Sequence, residues 1–151
     1  MSSVDSPPHA GPAVVLLVED DPGDADLLSL ALRRSGLKTT LVWCSSGPEA
    51  LDALTGRGRY AADPPPRPAV ILMDLKMPGM NGIEAARAVR GEAALNGVPV
   101  VMFTSSRDPG DVAQAYAAGA SSYVVKPVHS GQYTDAVATL ARYWVGYNVT
   151  P

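Results

Sequence analysis

Five short apolar runs, rich in valine and separated by longer segments with helical patterning, constrain this chain more than any other feature of it. The runs are Val14–Val18, Thr39–Trp43, Ala69–Met73, Val98–Phe103 and Ser121–Val125. Most are continuously apolar rather than alternating, which is the composition of strands covered on both faces, as in a parallel sheet flanked by helices. Five strands alternating with five helices predict right-handed crossovers and a doubly wound α/β fold. At 151 residues the chain has room for one such domain and not for a second.

The segments between the runs carry helix signals. Asp21-Pro22 and Asp108-Pro109 each place a capping carboxylate before a proline at the first helical position, where a missing N–H costs nothing. Ser46 with Glu49, and Asn81 with Glu84, have capping-box spacing. Gly36, Gly56 and Gly119 fall where three helices should stop. A last helix from about Ser130 presents Val137, Leu140, Ala141 and Trp144 on one face. Arg57 to Pro68 reads as a stiff surface loop, because its Asp-Pro-Pro-Pro-Arg-Pro stretch suits neither helix nor central strand. Residues 1–12, with three prolines and three serines, read as a disordered leader, 13–145 as the domain and 146–151 as a tail.

Composition narrows the function. A net charge of −3 offers no attraction to phosphate backbones or anionic lipid, which argues against a dedicated nucleic-acid or membrane-surface protein. No apolar run nears the roughly 20 residues of a membrane span, and the first residues lack a signal peptide's pattern. A cytoplasmic location is therefore expected. Cys44 is the single cysteine, so no intrachain disulfide forms, and its place at the end of an apolar strand suggests an inert thiol. His9 and His129 have no partner at metal-ligand spacing.

In an open parallel sheet, ligands bind beyond the carboxyl ends of the strands. Those ends read Glu19-Asp20-Asp21, Asp74, Thr104-Ser105-Ser106 and Lys126-Pro127. In the common strand order 2-1-3-4-5, the first and third strands are neighbours about 5 Å apart, which gathers Glu19, Asp20 and Asp74 into one pocket. Such carboxylates repel one another, so one holds a proton or a cation neutralises the group. An all-oxygen donor set suits Mg2+, which keeps several waters and takes phosphate oxygens as ligands. The fifth strand lies on the order of 10 Å from the third, a gap a lysine stem largely spans. Lys126 can thus bring its ammonium near Asp74, and Thr104 can offer a hydroxyl there.

These residues resemble a known family. Val18-Glu19-Asp20-Asp21, Asp74 to Gly82 (Asp-Leu-Lys-Met-Pro-Gly-Met-Asn-Gly), Thr104-Ser105-Ser106, and Gly119-Ala120 followed by Tyr123 and Lys126-Pro127 are similar to the receiver domain of bacterial two-component response regulators. The likeness spans about residues 13–145. It implies a flavodoxin-like, CheY-like (βα)5 fold and the strand order given above. It further implies that Asp74 accepts a phosphoryl group from the phosphohistidine of a sensor histidine kinase. Glu19 and Asp20 would be the acidic pair holding magnesium, Asp20 directly and Glu19 through water, joined by Asp74 and the Lys76 carbonyl. Lys126 and Thr104 would take the catalytic places, Thr104 and Tyr123 the switch places. Lys76 and Ser106 stand at two positions that in this family tune the lifetime of the phosphate. A protein of this kind catalyses only its own phosphorylation and dephosphorylation.

A narrower resemblance rests on Glu19-Asp20-Asp21, Asp108-Pro109 with Asp111-Val112, Ala115-Tyr116 before Gly119, and Tyr143-Trp144. These are similar to the small stand-alone receivers paired with bacterial phytochromes, which makes a bacteriophytochrome kinase the expected partner. Four of the nine aromatic residues, Tyr133, Tyr143, Trp144 and Tyr147, lie in the last nineteen positions. Tyr133 and Trp144 suit core closure. Tyr143 and Tyr147 are candidates for a homodimer contact through the C-terminal helix and the surface of the fourth and fifth helices. Two other functions compete. A haloacid-dehalogenase-like phosphatase also uses a strand-end aspartate, magnesium, threonine and lysine, but expects Asp-X-Asp where this chain has Asp74-Leu75-Lys76. A pseudo-receiver would bind partners without phosphorylation, for which the intact acidic cluster has no use.

Overall fold

The computed structural model describes residues 11–151. Residues 1–10 of the expected leader, and His9 with them, lie outside the described residues. The chain alternates β1 (Ala13–Val18), α1 (Pro22–Arg34), β2 (Thr39–Cys44), α2 (Gly47–Thr55), β3 (Val70–Met73), α3 (Gly82–Arg90), β4 (Val100–Thr104), α4 (Pro109–Ala117), β5 (Ser122–Val125) and α5 (Ser130–Ala141). All four pairings are parallel and the order is β2-β1-β3-β4-β5. This is the doubly wound, flavodoxin-like sheet expected from the apolar runs.

The pleat sorts each inner strand between two cores. Val15, Leu17, Val70, Leu72, Val101 and Phe103 face α1 and α5, where they meet Ala25, Leu28, Ala31, Leu32, Val137 and Ala141. Leu16, Val18, Ile71, Met73, Val100 and Met102 face α2, α3 and α4, where they meet Ala50, Ala53, Ala85, Ala86, Val89 and Ala115. Burial on both faces is why these strands are apolar without a break. On α5, Val137 and Ala141 are buried and Leu140 is half-buried, and Trp144, just beyond the helix, packs half-buried against the same core.

The helix ends follow local chemistry, with departures. Asp21 and Asp108 accept from the backbone N–H of Gly23 and Gly110, both at 2.9 Å. Asn81 and Glu84 form the full capping box. At α2 only half of it forms: Ser46 accepts from Glu49 N–H, but the Glu49 carboxylate turns to Ser45, Arg59 and Tyr60 instead of the Ser46 N–H. Gly36, Gly56 and Gly119 take left-handed φ of 77°, 67° and 105° just beyond α1, α2 and α4. The fourth strand starts at Val100 rather than Val98. Pro99 has no N–H to give a ladder, and the Val98 N–H turns back to the Leu95 carbonyl, just past a 3-10 turn (Ala93–Leu95). The loop before β3 opens with a short 3-10 turn, Gly58–Tyr60, and α5 passes into a π-helical stretch, Arg142–Tyr147. Among the described residues no helix is long and apolar enough to cross a membrane.

Candidate functional site

Parallel register builds the site. Val18 pairs with Met73, so the next residues, Glu19 and Asp74, stand side by side, and the Asp74 N–H bonds to the Val18 carbonyl at 3.0 Å. Asp20 completes the group: one carboxylate oxygen from each of Glu19, Asp20 and Asp74 lies within 4.8 Å of the others. Thr104 pairs with Val125, which brings Lys126 in next, its N–H bonded to the Thr104 carbonyl at 2.7 Å.

Lys126 runs over the Phe103 ring, with Nζ 5.7 Å from the centroid, and ends among carboxylates. Its ammonium is 3.0 Å from Glu19, 3.8 Å from Asp74 and 3.9 Å from Asp24 on α1. Strand spacing alone predicts this charge near Asp74. The structure places it there but gives Glu19, the most buried acid, the shortest contact.

The electrostatics are unbalanced. Burial pushes the Glu19 carboxyl up to about 7 in spite of hydrogen bonds from Lys126 and the Asp21 N–H. Burial likewise raises Asp74 above its ordinary range, with the Lys126 charge opposing. Burial would lower Lys126, but Asp74 and Glu19 outweigh it and hold the ammonium above its usual range. One ammonium therefore does not neutralise the cluster. The residues fit a hard divalent ion: every donor is a carboxylate oxygen, the donors already converge, and burial, with the neighbouring carboxylates adding to it, disfavours their ionisation without a further cation.

Thr104 is buried, and its Oγ1 accepts from the Ser106 N–H at 3.3 Å. Tyr123 pairs with Met102 and packs against the core under α2, α3 and α4, and its hydroxyl donates to the Ser106 carbonyl at 2.9 Å. Threonine and tyrosine thus meet through the loop after β4. Lys76 points its mostly exposed ammonium to Asp111 at 3.7 Å. Asp74, Lys76, Thr104, Ser105, Ser106, Lys126 and Asp24 line one open recess of about 410 Å3.

Three residues at or beside this site escaped the sequence reading of roles. Asp24 and Asp111 sit in the first turns of α1 and α4, where an acid is ordinary helix chemistry. Trp43, on edge strand β2, donates its indole N–H to the Glu19 carbonyl at 2.7 Å. No local pattern signals any of the three contacts, because each depends on how the elements pack. Cys44 is buried, and desolvation pushes its thiol up to about 11, which fits an unreactive side chain. Tyr133 packs half-buried on Phe103, while Tyr143 and Tyr147 are exposed.

Known proteins share this fold. The chain is 32% identical over 143 residues to the probable methanogenesis regulatory protein FilR2 of Methanothrix harundinacea, covering 93% of this chain and 88% of that one. The crystal structure of the phosphorylated cyanobacterial phytochrome response regulator RcpA superposes with a TM-score of 0.85 at 28% identity, over 93% of this chain and 99% of RcpA. The Mn2+-bound form of response regulator Rcp1, known from a Synechocystis strain, superposes with a TM-score of 0.83 at 29% identity, over 93% and 99% of the two chains. The profile of the response regulator receiver domain matches residues 15–138. With that match spanning both halves of the sheet, and with the whole order of strands shared, the chain belongs to the response regulator receiver domain family of two-component signalling.

Proposed function

We propose that this receiver takes a phosphoryl group from the phosphohistidine of a sensor histidine kinase onto Asp74. The observation that carries the reading is the placement of the Asp74 carboxylate: it lines an open recess, 3.8 Å from the Lys126 ammonium and beside Glu19 and Asp20. An Asp74 oxygen attacks phosphorus, the P–N bond breaks, and its electron pair leaves on the imidazole nitrogen. Lys126 attracts the phosphoryl oxygens as they arrive, and preorganised charge of this kind supplies most of the rate in such transfers. The Thr104 oxygen accepts from Ser106 N–H, so its own hydrogen is available to a phosphoryl oxygen. Glu19, Asp20 and Asp74, with the Lys76 carbonyl, would hold Mg2+, which when bound supplies charge neutralisation for the transferring group.

Signalling follows from the same contacts. A phosphoryl group that draws Thr104 inward pulls on Ser106, and through it on the Tyr123 hydroxyl, which biases the surface of α4 and α5. The likeness to RcpA supports a kinase of the phytochrome class as donor. In the same reading the exposed Tyr143 and Tyr147 form a homodimer contact with the surface of α4 and α5.

Incubation with acetyl phosphate or a cognate kinase in magnesium, followed by intact mass, tests the reading. A phosphoryl adduct in the native chain that is absent in Asp74→Asn supports it. No adduct from a competent donor would leave a receiver that works without phosphorylation.

A further inference from the structure

Asp111 joins two residues that sequence alone left separate. Its Oδ2 accepts from the Ser106 hydroxyl at 2.6 Å and lies 3.7 Å from the Lys76 ammonium. Ser106 belongs to the loop after β4 and Lys76 to the loop after β3, so a carboxylate from the first turn of α4 ties together the two loops that border Asp74. The tie has a definite place. Lys76 lines both the recess over Asp74 and a neighbouring one of about 500 Å3 between the loop after β3 and α4, where Asp111, Met77, Pro78 and Gln114 are also found. The Lys76–Asp111–Ser106 bridge lies along the boundary of the two spaces.

We infer that Asp111 is a positioning residue that holds this bridge across the side of the phosphoacceptor pocket and so limits the approach of water to phosphorylated Asp74. This rests on Asp74 being the phosphoacceptor. Loss of the phosphoryl group needs a water in line with the P–O bond to the aspartyl oxygen, and that bond breaks with its electrons returning to the carboxylate as inorganic phosphate leaves. Lys76 is mostly exposed, so on its own it would sample many rotamers. Asp111 restricts it, and at the same time fixes the Ser106 side chain, whose backbone N–H bonds to Thr104. Asp111 touches neither Asp74 nor the transferring group in this network. It acts through two neighbours.

The test is the lifetime of the adduct. Native protein, Asp111→Asn, Ser106→Ala and the double variant are phosphorylated with acetyl phosphate and magnesium and stripped of donor, and loss of adduct is followed by intact mass. Asp111→Asn, which keeps an acceptor oxygen but loses the charge, is expected to shorten the lifetime by about three- to ten-fold, the range of one ordinary hydrogen bond. Ser106→Ala should shorten it comparably, and the double variant should fall well short of the product of the two effects, because both weaken one bridge. Melting followed by circular dichroism shows whether each variant is folded, and a purely structural role would lower the melting point without non-additivity in the lifetimes. A lifetime in folded Asp111→Asn that is unchanged or longer, or two effects that multiply, overturns the inference. Absence of adduct in the native protein instead overturns the assignment of Asp74.

Discussion

The Lys126 ammonium lies nearer to the buried carboxylate of Glu19, at 3.0 Å, than to that of Asp74, at 3.8 Å. Lysine is therefore a counter-ion for the whole cluster. Replacing it by methionine keeps most of the stem over Phe103 but leaves Glu19 and Asp74 without their cation. Loss of one partner of a buried pair costs about 3–5 kcal/mol. Glu19 can relieve part of that by taking a proton, so a loss of about 2 kcal/mol is expected for Lys126→Met in EDTA. Magnesium should stabilise the variant more than the native chain, since the ammonium no longer repels the ion. Thermal melts with EDTA and with magnesium check both signs, and an equal magnesium effect in the two proteins would count against the cluster as the ion's site.

Acid should expose a second, unrelated anchor. Burial alone would raise the Glu49 carboxyl, but hydrogen bonds from the Tyr60 hydroxyl and from Ser45, with Arg59 at 2.6 Å, bring it below its ordinary value. A carboxyl depressed in the folded state binds its proton more readily when unfolded. Its stabilising effect is thus present above about pH 4.3 and is lost as the pH falls through that value and below. Between pH 7 and pH 3.5 the native chain should lose more stability than Glu49→Gln, by on the order of 1 kcal/mol. Urea titrations of the two proteins at both pH values measure the difference.

The frame of the site was legible because it depends on one period. Once five parallel strands are assigned, their carboxyl ends must share an edge, and Glu19, Asp20, Asp74, Thr104 and Lys126 lie there; that β1 and β3 are neighbours comes from the strand order the family resemblance implies. What stayed hidden depends on contacts between elements. The nearest partner of Lys126 is set by where its stem crosses Phe103, and the bond from Trp43 to Glu19 by the pairing of β1 with β2. Asp24 and Asp111 read as ordinary first-turn acids until α1 and α4 are placed. The start of β4 is a different case: Val98 suits a strand by its apolar character, and the signal against it, Pro99 with no N–H for a ladder, is present in the sequence itself.

Trp43 should report on the cluster it braces. Its indole N–H bonds to the Glu19 carbonyl at 2.7 Å while its ring remains substantially exposed. In Trp144→Phe, which leaves Trp43 as the single tryptophan, adding magnesium should change the emission. In Trp43→Phe the response should vanish, with a stability loss of about 1 kcal/mol for the missing hydrogen bond. Emission from Trp43 that ignores magnesium at concentrations that stabilise the protein would mean that the ion binds elsewhere.

The aromatic tail makes a prediction about assembly. Tyr147 is 72% and Tyr143 50% exposed, more than core closure explains, and aromatic side chains are enriched at protein interfaces. If they form the homodimer contact, Tyr143→Ala with Tyr147→Ala should weaken association by at least about tenfold, the effect of losing roughly 1.4 kcal/mol at an interface. Sedimentation velocity over a concentration series reads this directly, and a native chain that stays monomeric throughout removes the contact from the account.

Gly82 is the position where the backbone beside Asp74 admits no side chain. Its N–H bonds to the Leu75 carbonyl at 2.8 Å. A Cβ there would run into the Asp74 carbonyl oxygen and stand 2.9 Å from both the Leu75 Cα and the Met102 methyl. Two of those three neighbours are backbone of the loop that carries Asp74, so the clash can be relieved only by moving that loop or the start of α3. Gly82→Ala should cost about 1–3 kcal/mol, as overpacking does, and lower the melting point by about 2–4 °C for each. Gly91, at the other end of α3, has φ of −73° and nothing nearer than 3.4 Å to its Cβ position. Gly91→Ala should therefore be neutral or mildly stabilising. Because the cost of Gly82→Ala falls on the Asp74 loop, adduct formation should drop in that variant even at temperatures where it is fully folded. Equal adduct formation in the two alanine variants would show that the loop absorbs the methyl group without moving Asp74.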